Sequence, residues 1–423
     1  MPSSDVGTIH IVGAGLAGLA AGVRLAGSGR NVVIHEATAQ PGGRCRSYQD
    51  QATGMLIDNG THLLLSGNHA ALSYATIIGS VSGLQGPAEA SFPFIELPSR
   101  DRWTLRFGDG RFPWWVFDKD RRAPQTGVID YLALARVALT SADRPIGEVA
   151  NCSGPMFRRV LEPFLTAALN IAPREGSAKL AGALIRETLA LGGRACRPLL
   201  AYEGIGNVLV EPALAYLHNH RASVKLLNEL LELQFSGARA VRLDFRSQSI
   251  ELGETDAVIL AVPPYVAAKL VPGLRTPTSF RGIVNAHFRA DSAARLPPML
   301  GVINGTCQWI FAQPGRISVT ISDAGQLFDM PRAELAQAIW REVANIAQLP
   351  DALPPWQLVR ERRATFAATP EQNALRPAAE TSWTNLLLAG DWTATGLPAT
   401  IESAIRSGHL AADLIGERMQ AAA

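Results

Sequence analysis

The sequence predicts an α/β fold: a Rossmann-like domain on a parallel sheet, interrupted by an inserted α+β domain. Three observations predict it. A short apolar run near the start leads into Gly13-x-Gly15-x-x-Gly18 and a helix of small residues. A second apolar run, late in the sequence, stops at Ala389-Gly390-Asp391. Between them lie aromatic and β-branched strands and helical segments of a different texture.

The first unit is read residue by residue. Ile9 to Val12 has the continuous apolar character of a strand buried on both faces. A helix is predicted over about Leu16 to Ala26, then a strand, Asn31 to His35, ending in Glu36. Gly13 permits the tight turn out of the strand. Gly15 lets backbone approach a pyrophosphate, and Gly18 lets the helix pack close to the sheet. The backbone around Ala14, Leu16 and Ala17 presents the N–H groups and positive dipole end of the helix to phosphates. Glu36, followed by Ala37, is placed to accept hydrogen bonds from an adenosine ribose. Strand, glycine turn, helix, strand and acid together predict dinucleotide binding.

Composition sets limits on the rest. The chain has 423 residues, 47% hydrophobic and 18% charged, enough for two domains with a proper core. Its net charge of +2 gives no electrostatic footprint for nucleic acid. The 4 cysteines, Cys45, Cys152, Cys196 and Cys307, contain no CxxC pair. Neither a disulfide framework nor a metal site is expected, and reduced thiols fit a cytoplasmic setting. Met1-Pro2-Ser3-Ser4-Asp5 carries no positive charge ahead of the first apolar run, so that run is not read as a signal peptide. No apolar run reaches the ~18 residues of a membrane span.

Pro41-Gly42-Gly43-Arg44 follows Glu36. In this place it resembles the FAD-dependent amine oxidase and phytoene desaturase superfamily, whose FAD domain is of glutathione-reductase-like type. The resemblance implies that Gly42 and Gly43 let the chain pass under FAD, with Arg44 near phosphate and flavin. It also implies that Asp58-Asn59-Gly60-Thr61-His62 lies by the isoalloxazine ring, Gly60 touching it through backbone. His62 then faces ring or substrate, or is simply structural. His62 and Asp58 are the candidate proton donors, by position alone. Leu230 corresponds to a residue that meets adenine through its backbone. Gly390 and Asp391 would contact the ribityl or pyrophosphate part. The helix opening at Thr400, with Ile401 and Ala404, would aim its positive end at the flavin N1–C2=O locus, where charge appears on reduction.

The middle of the chain reads as follows. Trp103–Phe107, the turn Gly108-Asp109-Gly110 and Arg111–Trp115 suggest a β-hairpin. Helices are expected over 128–140, 156–169 and 177–191, then 208–218. Short strands follow at 223–226, 230–233 and 240–245, and a buried strand at 256–262 ends in Pro263-Pro264. Further strands are expected at 282–288, 308–312, 316–322 and 356–366, with a helix over 332–347. The arginines Arg360, Arg362 and Arg363 are read as solvated or paired. The expected division is 1–95, 204–270 and 371–423 for the FAD domain, and 96–203 and 271–370 for the substrate domain. Phe92, Phe94, Trp114, Trp115, Phe117, Met156, Phe157 and Phe164 either line an apolar cavity or form ordinary core.

A narrower resemblance rests on Gly390-Asp391-Trp392-Thr393-Ala394-Thr395-Gly396-Leu397-Pro398-Ala399-Thr400-Ile401-Glu402-Ser403-Ala404, on Arg363 to Pro370 and on Glu203-Gly204-Ile205-Gly206. These are similar to the squalene-associated branch of the superfamily, the hydroxysqualene dehydroxylases of bacterial hopanoid synthesis. The branch implies reductive removal of an allylic hydroxyl from a C30 isoprenoid. The alternatives in the superfamily are a carotenoid (phytoene-type) desaturase or a flavin amine oxidase. With one GxGxxG evident, an unidentified electron donor outside the chain is expected. The expected location is cytoplasmic and peripheral to the inner face of the membrane. Trp114, Trp115 and Phe117 would border an arginine-fringed entrance for the long lipid.

Overall fold

Ile9, Ile11 and Val12 occupy the middle of a five-stranded parallel sheet. Its order is Ser223–Lys225, Asn31–His35, Thr8–Val12, Ala257–Leu260 and Leu386–Leu388. The computed structural model describes residues 7–291 and 295–421, so the reading of Met1 to Asp5 lies outside it. The helix Leu16–Gly27 covers one face of the sheet and is itself covered by the helix Ile401–Ala421. A helix enclosed in this way has no polar face, which is why Leu16 to Ala26 reads as apolar and small almost all round. Toward the opposite face lies a three-stranded antiparallel sheet, Leu230–Ser236, Arg239–Phe245 and Ser249–Glu251. Phe245 stacks there on His35 with ring centroids 4.4 Å apart.

The second domain is built on a seven-stranded sheet. In order it runs Trp356–Phe366, Phe280–Phe288, Arg316–Ile321, Trp309–Gln313, Met299–Ile303, Ser91–Glu96 and Arg102–Arg106. The helix Arg332–Ala347 packs on it through Ile339, Trp340 and Val343, as its 3.6-residue apolar spacing demands. Phe92, Phe94 and Trp309 pack with Phe164 of the helical layer, at 4.9 Å for Phe92–Phe164 and 5.5 Å for Phe94–Trp309.

The expected hairpin is a correction. Arg102–Arg106 pairs with Ser91–Glu96, and Trp114–Phe117 is a 3-10 turn. Pro113 has no N–H for a ladder, and the Gly108 carbonyl is taken by Gly193 N at 2.7 Å. The expected limit at residue 95 moves with it, because Ser91–Glu96 already belongs to the second sheet. Trp115 is corrected too. It is 8% accessible, edge-on to Phe107 and Tyr131, whereas Trp114 and Phe117 point outward.

The expected helix over 156–169 is continuous from Gly154 to Leu169, with a π-helical stretch at Phe157–Leu161. Pro163 brings no N–H to the turn before it, which relaxes the ladder there. Met299–Ile303 is a strand that the sequence pattern did not announce.

Candidate active site

The site is assembled from segments far apart in sequence. Gly13 turns the chain at φ +106°, and its N–H is held by the His35 carbonyl at 2.7 Å. A Cβ on Gly18 would lie 1.9 Å from the Gly13 carbonyl oxygen, so close packing of the helix start requires that glycine. A Cβ on Gly15 would meet nothing within 4 Å. The space beside Gly15 is open, and protein packing does not explain the glycine.

The second glycine segment runs alongside the first. Gly42 N donates to the Ala14 carbonyl at 2.8 Å. Glu36 stands at the same place: Oε2 accepts from Ala14 N at 2.8 Å, and Oε1 from Thr38 N at 2.9 Å and Thr38 Oγ1 at 2.8 Å. Ala37 is exposed beside it. Leu227 N and Asn228 N bond to the Thr38 and Glu36 carbonyls at 3.1 and 2.8 Å, which brings Leu230, buried at the start of its strand, to this end.

Arg44 and Asp391 join the two ends of the chain. Arg44 Nη2 donates to Asp391 Oδ1 at 2.8 Å. Burial works against the Arg44 charge, but the adjacent Asp391 carboxylate more than offsets it and holds the guanidinium firmly protonated. Arg44 keeps 44% of its side chain accessible, next to the exposed Gly43, so the pair with Asp391 is open on one side. Arg376 supports this corner from behind, donating to the Asp391 carbonyl at 3.2 Å and to Thr395 Oγ1 at 3.0 Å. Gly390, at the end of the last sheet strand, donates to Ser407 Oγ at 2.8 Å.

Asp58 to His62 and Cys45 form a second cluster, and the late motif opens the helix after Thr400. Asp58 is buried, and its Oδ1 accepts from Ser47 Oγ and from Ile205 N at 2.9 Å. That oxygen is committed to holding the Gly204–Ile205 turn. Asn59 is buried and Thr61 half-buried. His62 is half-buried; its Nε2 is 3.8 Å from Cys45 Sγ, and its Nδ1 is buried with no partner. Burial pulls the His62 imidazole below its ordinary value, against the opposing pull of Asp58. The ring is therefore neutral near pH 7. Burial pushes the Cys45 thiol up to about 12. Thr400 caps the helix Ile401–Ala421 by accepting Ser403 N at 3.1 Å, with the Ala404 N–H bonded to its carbonyl at 3.0 Å.

Two neighbours of the late motif face elsewhere. Glu402 accepts from Ala70 N and Ala71 N at 3.0 and 2.9 Å and so caps the helix His69–Ile77. Trp392 is buried and donates to the Val262 carbonyl at 2.9 Å. Arg376, Asn285 and Thr320 are members of this region that sequence reasoning missed. None sits in a motif, and only strand register and long-range folding place them.

The residues fit a dinucleotide with a flavin. A glycine turn at a helix start faces open space, a carboxylate ends the second strand, and a charged, partly accessible arginine pairs with the aspartate of the late motif.

Comparison with known proteins agrees. The family model described as flavin containing amine oxidoreductase matches residues 16–416. Hydroxysqualene dehydroxylase of Rhodopseudomonas palustris is 54% identical, over 96% of this chain and 98% of that protein. Hydroxysqualene dehydroxylase of Sinorhizobium fredii is also 54% identical, over 96% and 97%. Among solved structures, cyclohexylamine oxidase from Brevibacterium oxydans superposes with a TM-score of 0.70 at 17% identity, covering 98% of this chain and 99% of that one. At that identity the superposition speaks for the fold alone.

Proposed function

The chain belongs to the flavin containing amine oxidoreductase family and, within it, to the hydroxysqualene dehydroxylases, and from that premise we propose how its residues serve the reaction. It is an FAD-dependent oxidoreductase that removes the allylic hydroxyl of hydroxysqualene to give squalene. The observation that carries this reading is 54% identity over 96% of the chain, which spans the lipid side as well as the cofactor side.

The reaction breaks one C–O bond and forms one C–H bond. The hydroxyl leaves as water after gaining a proton, and the allylic carbon accepts a hydride. FAD in its reduced form supplies that hydride. The chain binds, orients and protects. Gly13, Ala14, Gly15, Leu16, Ala17 and Gly18 would hold the pyrophosphate at the helix start. Glu36 and Ala37 would hold the adenosine ribose, with Leu230 for the adenine. Gly42, Gly43, Arg44, Gly390 and Asp391 would take the phosphate and ribityl part. Asn59, Gly60, Thr61, Thr400, Ile401 and Ala404 would serve the ring.

His62 and Asp58 stay the two candidate proton donors. Burial holds the His62 imidazole neutral, so it would have to gain a proton before passing one to the hydroxyl, and Asp58 Oδ1 already accepts from two protein donors. A dry cavity around the reacting carbon would keep water from recapturing the developing cation.

The substrate is a long isoprenoid lipid, and no helix among the described residues is long and apolar enough to cross a membrane. We place the protein at the inner face of the membrane, on the surface formed by Phe112, Trp114 and Phe117. These are 58%, 70% and 59% accessible, with ring centroids 4.3 and 5.9 Å apart. Exposed rings packed on one another are unusual on a surface that meets only water. The electrons come from a donor outside this chain.

The test is anaerobic. Photoreduced holoenzyme mixed with hydroxysqualene regains its oxidised absorbance while squalene appears. Reduced enzyme that hydroxysqualene leaves unchanged, with oxidised enzyme bleached by a saturated isoprenoid or an amine, would establish a desaturase or oxidase instead.

A further inference from the structure

One face of the seven-stranded sheet carries a row of buried polar side chains. Asn285 and His287, two apart on Phe280–Phe288, share a face. Thr320 and Ser318 lie directly opposite them on Arg316–Ile321. Some of the row is taken up by bonds within the sheet and some reaches across to the strand Met55–Asp58. His287 Nδ1 meets Ser318 Oγ at 2.9 Å, and Arg316 donates to the Leu56 carbonyl on the strand Met55–Asp58.

Asn285 differs from its neighbours. It is 2% accessible, and its Oδ1 accepts from Thr320 Oγ1 at 2.8 Å. That bond uses the oxygen end and sets the orientation of the amide. It leaves the Nδ2 end of the amide available as a donor, and Nδ2 is not among the fully sealed unpaired atoms. It lies over Gly60: a Cβ there would come within 3.0 Å of Nδ2. The glycine thus makes room for the amide as well as for a ring. His62 lies two residues on from Gly60. A buried donor without an acceptor costs free energy unless a ligand satisfies it.

We propose that Asn285 Nδ2 is the hydrogen-bond donor for the hydroxyl oxygen of the lipid, and that Thr320 is the positioning residue that fixes the amide for this task. The proposal rests on the reading that hydroxysqualene meets the cofactor at Gly60. An amide cannot supply the proton. It distinguishes a hydroxylated lipid from its deoxygenated product and holds the C–O bond in place while another group protonates the oxygen. Product lacking the hydroxyl leaves the donor unsatisfied, which favours its release.

The experiment compares wild type, Asn285→Leu and Thr320→Val as holoenzymes. Binding of hydroxysqualene and of squalene to the oxidised form is followed by the perturbation of the flavin absorbance. Anaerobic reoxidation of the reduced form is followed at saturating hydroxysqualene. Wild type is expected to prefer hydroxysqualene over squalene by at least tenfold. Asn285→Leu should abolish that preference and slow reoxidation about 100-fold, with flavin content and the unperturbed spectrum unchanged. Thr320→Val, nearly isosteric and able to fold where the leucine variant does not, should lose part of both. An unaltered preference and rate in the variants overturn the proposal. So does a shifted spectrum or lost flavin with the lipid preference intact, which would assign the amide to the cofactor. Wild type that does not consume hydroxysqualene would overturn the underlying reading instead.

Discussion

Arg44 and Asp391 form an ion pair across 347 residues of sequence, at 2.8 Å, with the arginine partly accessible and the aspartate buried. One belongs to the segment beside the first glycine turn, the other to the end of the last sheet strand. Removing Asp391 takes away a charge-assisted hydrogen bond, typically about 1.5–3 kcal/mol. Asp391→Ala should therefore weaken FAD binding about 10- to 100-fold, read as the ratio of flavin to protein absorbance after dialysis. Asp391→Ala enzyme that keeps full flavin would show that the pair is purely structural.

Gly15 and Gly18 separate ligand from packing. Nothing stands within 4 Å of a Cβ on Gly15, and its φ of −72° suits any residue. Gly15→Ala should leave the melting of the apoprotein within about 1 kcal/mol while sharply reducing FAD affinity. Gly18→Ala drives a methyl against the Gly13 carbonyl and should destabilise the apoprotein by about 3 kcal/mol or more. Calorimetry of the two flavin-free proteins separates them. Equal destabilisation by both would refute the assignment of Gly15 to a ligand.

Attachment of the flavin is predicted to be non-covalent. The Cys45 thiol, pushed up to about 12 by burial, is protonated near pH 7 and a poor nucleophile. Acid precipitation should release all the yellow colour into the supernatant, and Cys45→Ser should retain the cofactor. Flavin that stays with the pellet would identify Cys45 as the first suspect for a link.

Acid should destabilise the fold before its carboxylates titrate. Burial lowers His35 and His287 to about 3, below the ordinary value of 6.5. The unfolded chain thus binds more protons in that window, and stability rises with pH there and falls as pH drops. Each group contributes up to about 1.4 kcal/mol per pH unit. Denaturant unfolding between pH 6.5 and about 5 should show that slope. His287→Gln should flatten it by about one proton, and a slope unchanged by that substitution would contradict the assignment.

Membrane contact is tested on Trp114 and Phe117. Wild type should float with liposomes, and Trp114→Ser with Phe117→Ser should lose most of the flotation. Both side chains are more than half accessible, so melting should barely change. Wild type that never floats, even with anionic lipid, would remove the membrane from the account.

The parts legible in the sequence were those written locally. The strand, glycine turn, helix and acid from Ile9 to Glu36 are contiguous, and the helix Arg332–Ala347 announces itself by its period. Trp103 to Trp115 misled because a turn between two aromatic runs is also a local signal. The true partner of Arg102–Arg106 precedes it, at Ser91–Glu96. Arg44 and Asp391 were each visible as motif members, but their contact was not. Asn285 and Thr320 carried no signal at all. Their meeting depends on the register of two strands and on where that sheet lies over Gly60.

The strand order of the parallel sheet has a consequence for biosynthesis. Its members come from residues near 8, 31, 223, 257 and 386, so most of the polypeptide must be made before the sheet can close. Pairings of such wide sequence separation form slowly. While the chain is still being made, the segment around Gly13 emerges long before Asp391. Flavin capture that needs both would then come late, and a sheet lacking its last strand is open to aggregation until synthesis is nearly complete.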